Sequence, residues 1–249
     1  HEVVVWNRSF DKAQELKKEG AVAVKTPKEM VENLPEPRAI WLMLPAGEVT
    51  EKMIITLSGL LSRDDSLIDG GNTNYKDDIR RYEQLKKLGI RYVDTGTSGG
   101  IRGLERGYCL MIGGDDDAVE RLDPVFKSLA PGKGGIKPAG SEPAENSTAS
   151  LGYFHCGSSG SGHFVKMIHN GIEYGMMQAY AEGFNILKKA SEVSMGPTGQ
   201  MDMKLDQIAE LWRRGSVIGS WLLDLTAEAL SSDNNLDQFQ GLVHDSGAG

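Results

Sequence analysis

Strand and helix signals alternate from residue 3 to about residue 130, and this alternation constrains the fold of the chain more than any other feature. Short apolar runs suited to buried strands are separated by longer amphipathic or charged stretches suited to helices. Strands are expected at Val3 to Trp6, Val22 to Val24, Ala39 to Leu44, Leu67-Ile68, Ile90 to Val93 and Tyr108 to Ile112. Helices are expected at Asp11 to Glu19 with Ser9 as cap, Pro27 to Asn33, Glu48 to Leu61, Tyr75 to Leu88 and Ala118 to Leu129. A β-α-β series with short links predicts a mostly parallel, doubly wound sheet. Residues 131 to 162, rich in glycine, serine and proline, read as a hinge. Beyond them only helices are expected, at His163 to Lys189, Leu205 to Arg214 and Val217 to Leu230. The expectation is an α/β domain over 1–162 and an all-α domain over 163–249.

With 39% hydrophobic and 25% charged residues, 249 residues can bury a sizeable core. The formal charge of −8 argues against a general nucleic-acid or anionic-membrane surface, while leaving room for a local basic pocket for a phosphorylated ligand. Cys109 and Cys156 form no C-x-x-C pair, and nothing reads as a secretory signal or a bilayer-spanning run, so a cytoplasmic location is expected. Cys109, in an apolar run, reads as a buried small hydrophobe. Met43 and Met111 read as core. The chain opens on an apolar run directly after His1 and closes on Asp245-Ser246-Gly247-Ala248-Gly249, so both ends are expected to be cut.

In a doubly wound sheet, ligands lie beyond the carboxyl ends of the strands. Three glycine-rich segments read there: Asp69-Gly70-Gly71-Asn72, Asp94 to Gly100, and Gly113-Gly114. A dinucleotide-binding sheet also carries G-x-G-x-x-G after its first strand, where backbone N–H groups hold the pyrophosphate. This chain has none. Gly160-Ser161-Gly162 mimics the first half but has Val165 where a small residue is wanted, follows no expected strand, and reads as a helix lead-in. The simplest account is a Rossmann-like sheet whose first strand and glycine loop are missing, with Val3 to Trp6 as its second strand. Asn7-Arg8-Ser9 would then stand where the adenosine ribose is read. Arg8 suits a two-pronged contact with a 2′-phosphate; an exposed arginine beside an ordinary cap is the competing reading.

The run His163-Phe164-Val165-Lys166-Met167-Ile168-His169-Asn170-Gly171-Ile172-Glu173-Tyr174 gathers polar groups by helical winding. Lys166 and Asn170 are i,i+4, Lys166 and Glu173 are i,i+7, and His169 and Glu173 are i,i+4, while Phe164, Val165, Ile168 and Ile172 point elsewhere. A solvated, salt-bridged face would give a similar pattern.

Residues 160 to 178, G-S-G-H-F-V-K-M-I-H-N-G-I-E-Y-G-M-M-Q, resemble the signature helix of 6-phosphogluconate dehydrogenases. Ile68-Asp69-Gly70-Gly71-Asn72-Thr73, Asp94-Thr95-Gly96-Thr97-Ser98-Gly99-Gly100 and Tyr108 to Gly114 agree in order and spacing, so the resemblance covers nearly the whole chain. Leu151 to Gly157 and Pro45-Ala46-Gly47 make it more similar to the shorter bacterial-type branch.

The resemblance implies oxidation of a sugar-phosphate acid by hydride transfer, then loss of carbon dioxide, without a metal. Lys166 would be the general base, kept neutral by burial and by the positive helix start, and Glu173 the acid that protonates the carbon losing CO₂. His169 and Asn170 would orient substrate hydroxyls, Tyr174 would reach the phosphate, and Ser98, Gly99 and Gly100 would cradle the carboxylate; a plain glycine-rich turn competes for the last three. Asn72 would place the nicotinamide end, Leu44, Pro45 and Ala46 would line the cofactor groove, and Asn7, Arg8 and Ser9 favour NADP, with NAD possible. A homo-oligomer, dimer or tetramer, is expected from the apolar surface of Trp212, Val217, Ile218, Trp221, Leu222 and Leu223. The missing glycine loop and C-terminal segment put cofactor binding by the chain as it stands in doubt. A related dehydrogenase such as one for 3-hydroxyisobutyrate would not need Glu173, and a non-catalytic nucleotide-sensing module would not need Lys166, Asn170 and Glu173 together.

Overall fold

The computed structural model describes residues 1–134, 147–193, 199, 201–234 and 236. The 135–146 part of the expected hinge and the closing Asp245 to Gly249 lie outside them. Two compact units are formed, His1–Ile168 and His169–Asp245.

The first unit alternates as the sequence suggests: β1 (Val4–Trp6), α1 (Phe10–Glu15), β2 (Val22–Val24), α2 (Pro27–Glu32), β3 (Ala39–Leu42), α3 (Glu48–Ser58), β4 (Ser66–Asp69), α4 (Tyr75–Lys87), β5 (Arg91–Ser98), α5 (Gly103–Arg106), β6 (Cys109–Gly114), α6 (Asp116–Leu129), β7 (Tyr153–Gly157) and the start of α7 (Ser161–Glu192). β1 and β2 pair in parallel as one ribbon; the other strands form a sheet in the order β3-β4-β5-β6-β7. The break lies between β1 and β3, where a doubly wound sheet places its first strand. Val4 and Trp6 of β1 nevertheless pack on the same core as Ile40 and Leu42 of β3, together with Ile54, Leu57, Leu67, Leu85 and Tyr92. A second core on the other face joins Ile68, Val93, Leu110, Ile112 and Tyr153 to Leu122 and Phe126 of α6. Both faces of the sheet are thus covered, which its buried apolar strands require.

Several expectations need correction. The 131–162 stretch contains a strand, β7, parallel to β6; its residues Tyr153-Phe154-His155-Cys156-Gly157 alternate too weakly to show it. β5 runs on through Asp94 to Ser98, so that segment is strand rather than turn, and it pairs antiparallel with β6. Gly113 and Gly114 pair with Asp94 and Val93, and because Asp94 is level with Asp69 and Leu42, Gly113 lies in the row of the carboxyl ends of β3 and β4 even though β6 runs the other way. Gly160-Ser161-Gly162 does follow a strand, β7. Ser9 precedes α1 without capping it through its side chain; its amide instead donates to Asn7 Oδ1 at 2.9 Å. Cys109 is exposed because it starts β6 at the sheet's rim. Met43 is 65% exposed, beyond the end of β3, whereas Met111 is buried as expected.

The second unit contains the rest of α7, α8 (Leu205–Trp212) and α9 (Trp221–Ser232). Phe184, Leu205, Ala209, Leu223, Ala227 and Leu230 form its core, with Trp212 packed against it. α9 starts at Trp221 rather than Val217 because Ser220 caps it, accepting from the Leu223 amide at 3.1 Å. Of the six residues read as apolar surface, Leu223 is fully buried, while Val217, Ile218 and Trp221 are exposed. Among the described residues no helix is long and apolar enough to cross a membrane.

Candidate active site

Three glycines let α7 settle directly on β5. A Cβ on Gly162 would lie 2.4 Å from the Met111 carbonyl oxygen and 2.7 Å from that of Asp94; one on Gly113 would lie 2.8 Å from the Gly162 amide nitrogen. One turn on, a Cβ on Gly96 would meet the Cβ of Lys166 at 2.4 Å. Contacts this short leave no room for a larger residue without moving the helix. α7 thus starts at Asp94 and carries Lys166 toward the carboxyl end of β5. By strand alternation Asp94, Gly96 and Ser98 share the face on which α7 lies.

The start of α7 is held by charge as well as shape. Asp94 is fully buried, and its two carboxylate oxygens accept the amides of Gly160 at 2.6 Å and His163 at 3.0 Å. A carboxylate at a helix N-terminus satisfies donors that have no partner within the helix. Burial nevertheless pushes the Asp94 carboxyl upward, and nearby Asp78 pushes it the same way.

A buried polar network extends from this point, and sequence reasoning missed it. Asp78 Oδ2 lies 2.8 Å from His163 Nδ1. Its Oδ1 accepts from the Tyr92 hydroxyl at 2.8 Å. Arg81 donates to Asp69 at 3.1 Å and to Glu51 at 2.9 Å. Asp69 in turn accepts from the Thr73 hydroxyl at 2.7 Å and the Gly71 amide at 3.0 Å. Burial holds the Tyr92 hydroxyl well above its usual range, so it remains a donor. Burial alone would lower the His163 imidazole, but the bond to Asp78 and the charges of Asp78, Asp94 and Asp69 together raise it. The sequence carried one faint signal of this: Asp78, Arg81 and Leu85 recur on one side of α4, so the inward face of that helix is partly charged. Asp78, Asp94 and His163 also bring ligand atoms within 4.8 Å of one another. Those carboxylates are already engaged with protein donors, so the cluster reads as a hydrogen-bond junction rather than a metal centre.

The expected cofactor positions fall into two places. Gly71 approaches the β3 end so closely that a Cβ would lie 2.7 Å from the Leu44 carbonyl oxygen. This sets half-buried Asn72 beside the Leu44-Pro45-Ala46 segment, which leads into α3 through Gly47 at a φ of +87°. Asn7, Arg8 and Ser9 are exposed at the end of β1. Half-buried Ser98 closes β5, and Gly99 and Gly100 follow with φ of +141° and +55°, conformations suited to glycine. Among the described residues no G-x-G-x-x-G follows a strand.

Farther along α7, in the second unit, His169 Nδ1 stands 3.7 Å from Glu173 Oε2 and 3.1 Å from Asn170 Oδ1. Tyr174 is exposed. Between residues 164 and 179, only Lys166, His169, Asn170 and Glu173 are half-buried; every other residue is exposed, including Phe164, Val165, Met167, Ile168, Ile172, Met176 and Met177. The His169 and Glu173 side chains, 39% and 37% exposed, are about as open to solvent as Val165 and Met167 beside them.

Residues 1–137 match the family model for the NAD binding domain of 6-phosphogluconate dehydrogenase, and residues 162–200 match that for the 6-phosphogluconate dehydrogenase C-terminal domain. The chain is 42% identical over its whole length to YqeC of Bacillus subtilis, provisionally named a 6-phosphogluconate dehydrogenase, and covers 74% of it. It is 37% identical, over 94% of its length and 69% of the relative's, to the NAD(+)-dependent, decarboxylating 6-phosphogluconate dehydrogenase of Haloferax volcanii. The solved 6-phosphogluconate dehydrogenase of Plasmodium falciparum, studied with NADP+ and with 6-phosphogluconate, superposes with a TM-score of 0.74 at 28% identity. That match covers 93% of this chain but 46% of the Plasmodium chain, so the sequence spans about half the length of the longer relatives. With two family models matched in order and relatives alike along its full length, the chain belongs to the 6-phosphogluconate dehydrogenase family.

Proposed function

We propose that the protein oxidises 6-phosphogluconate with NAD(P)+ and releases carbon dioxide, leaving ribulose 5-phosphate. The observation that carries this reading is the polar stripe Lys166, His169, Asn170 and Glu173 on one uninterrupted helix. When bound, the dinucleotide supplies the acceptor for the hydride. Neutral Lys166 takes the proton of the 3-hydroxyl as the alcohol becomes a ketone, which makes the substrate a β-keto acid. Ser98 and the backbone of Gly99 and Gly100 orient its carboxylate. Loss of CO₂ leaves an enolate, whose oxygen the lysine, now protonated, stabilises while Glu173 delivers a proton to the carbon that lost the carboxylate. His169 and Asn170 hold the hydroxyls and Tyr174 the phosphate. Domain boundaries near residue 162, a cytoplasmic setting and self-association through exposed apolar residues of the helical unit complete the reading.

The test compares 6-phosphogluconate with 3-hydroxyisobutyrate as substrates of the full-length protein and of Glu173→Gln. Turnover of the sugar acid alone, impaired by Glu173→Gln, supports the reading; turnover of 3-hydroxyisobutyrate with Glu173 dispensable would replace it.

Arg8 is proposed to select NADP by pairing with the 2′-phosphate, supported by its exposed place at the end of β1. The charge-reversed Arg8→Asp is expected to lose about tenfold or more in kcat/KM with NADP relative to NAD, on the order of one strong charge-assisted contact. An unchanged ratio between the two cofactors would remove Arg8 from the site.

A further inference from the structure

We infer that His163, bonded to Asp78, is a positioning residue that fixes the first turn of α7 and so aims Lys166; the inference rests on the role just proposed for that lysine. His163 is 2% exposed and precedes Lys166 by three residues, so the two are neighbours along the helix. Its Nδ1 faces an oxygen that can only accept, so that nitrogen carries the proton and donates to Asp78 at 2.8 Å. Its amide is held by Asp94, and the next turn is pressed on Gly96 through the Lys166 Cβ. Side chain and backbone are thus gripped from two elements, α4 and β5, leaving the first turn a single seat.

The anchor continues beyond Asp78. Tyr92 links Asp78 into a buried group that includes Asp69, and Asp69 shapes the turn carrying Asn72 through the Gly71 amide and the Thr73 hydroxyl. The turn proposed to hold the nicotinamide end and the helix proposed to hold the base therefore share one buried framework, all within the first unit. His163 Nε2, by contrast, is buried without a hydrogen-bond partner among the described residues. An orphaned buried nitrogen is costly and calls for a reason. The rigid ring supplies one, holding Nδ1 at a fixed distance from the helix axis.

Two substitutions separate positioning from bulk packing. His163→Asn keeps a donor near the Nδ1 position and discards the orphaned nitrogen, whereas His163→Leu fills space but cannot reach Asp78 with a donor. In the full-length protein, His163→Leu is expected to lower kcat by about 10- to 100-fold, as small misplacements of a catalytic group do, with KM within about threefold. The rate at which acetic anhydride modifies Lys166, read by mass spectrometry without substrate, is expected to change about fivefold or more in the same variant, because the amine's surroundings govern its reactivity. His163→Asn is expected to restore both quantities to within about threefold of the parent. If His163→Leu does not fold, Asp78→Asn, which weakens the same bond, is expected to change Lys166 reactivity about fivefold or more. Unchanged Lys166 reactivity in the folded variants would overturn the inference, as would equal losses in His163→Leu and His163→Asn. A parent protein inactive on 6-phosphogluconate would instead sink the proposed reaction, while Lys166 reactivity would still decide whether His163 positions that residue.

Discussion

Lys166→Met in the full-length protein is expected to lower kcat with 6-phosphogluconate by about 10²- to 10⁴-fold, the range that a positioned general base contributes. Methionine keeps the unbranched stem that lies over Gly96, so the seat of α7 should survive and the loss should be chemical. Cofactor affinity and thermal midpoint should accordingly stay close to those of the parent. Measured rates of NAD(P)H formation check this, and an undiminished rate would take Lys166 out of the mechanism.

Arg81→Met is expected to be the most destabilising single change in the first unit. The guanidinium is 1% exposed and is shared between Asp69, fully buried, and Glu51. Replacing both partners of a buried pair can be nearly neutral, but removing one strands a charge, at a cost of about 3–5 kcal/mol. Denaturant unfolding measures it. Combining Arg81→Met with Asp69→Asn should recover part of the loss, and a single-variant cost below about 1 kcal/mol, the scale of an exposed pair, would show that Asp69 finds other compensation. Glu51 responds differently, since Arg80 also grips it. The Arg80 bond, opposed by burial and aided by Arg81, holds the Glu51 carboxyl down at about 2. Its folded-state value is thus depressed, so its contribution is present at neutral pH and fades as pH falls from the usual glutamate range toward about 2.

The order of strands and helices was legible because apolar periodicity reports which residues face a core, and from β1 to α6 those faces are continuous. β7 was not legible: its strand is short, flanked by glycines and half exposed, and only pairing with β6 defines it. The direction of β6 was equally hidden, since strand propensity says nothing about which way a strand runs. Despite this reversal, Gly113 stays level with Asp69 and Leu42, the carboxyl ends of β4 and β3. At the site, the helical spacing of Lys166, His169, Asn170 and Glu173 could be read directly. The buried partners of that helix could not, because Asp78, Asp94 and His163 become neighbours only through contacts spanning 66 to 85 residues of sequence. Ser9 is a smaller case: its type and position fit a cap, yet its amide turned to the Asn7 side chain instead.

The proposed base and acid, Lys166 and Glu173, are expected to act on one substrate in two consecutive steps. Simultaneous measurement of CO₂ released and NAD(P)H formed by the full-length protein tests it most directly. One carbon dioxide per reduced cofactor is expected with 6-phosphogluconate throughout the time course. Reduced cofactor accumulating without carbon dioxide, or no reduction at all with this substrate, would contradict it.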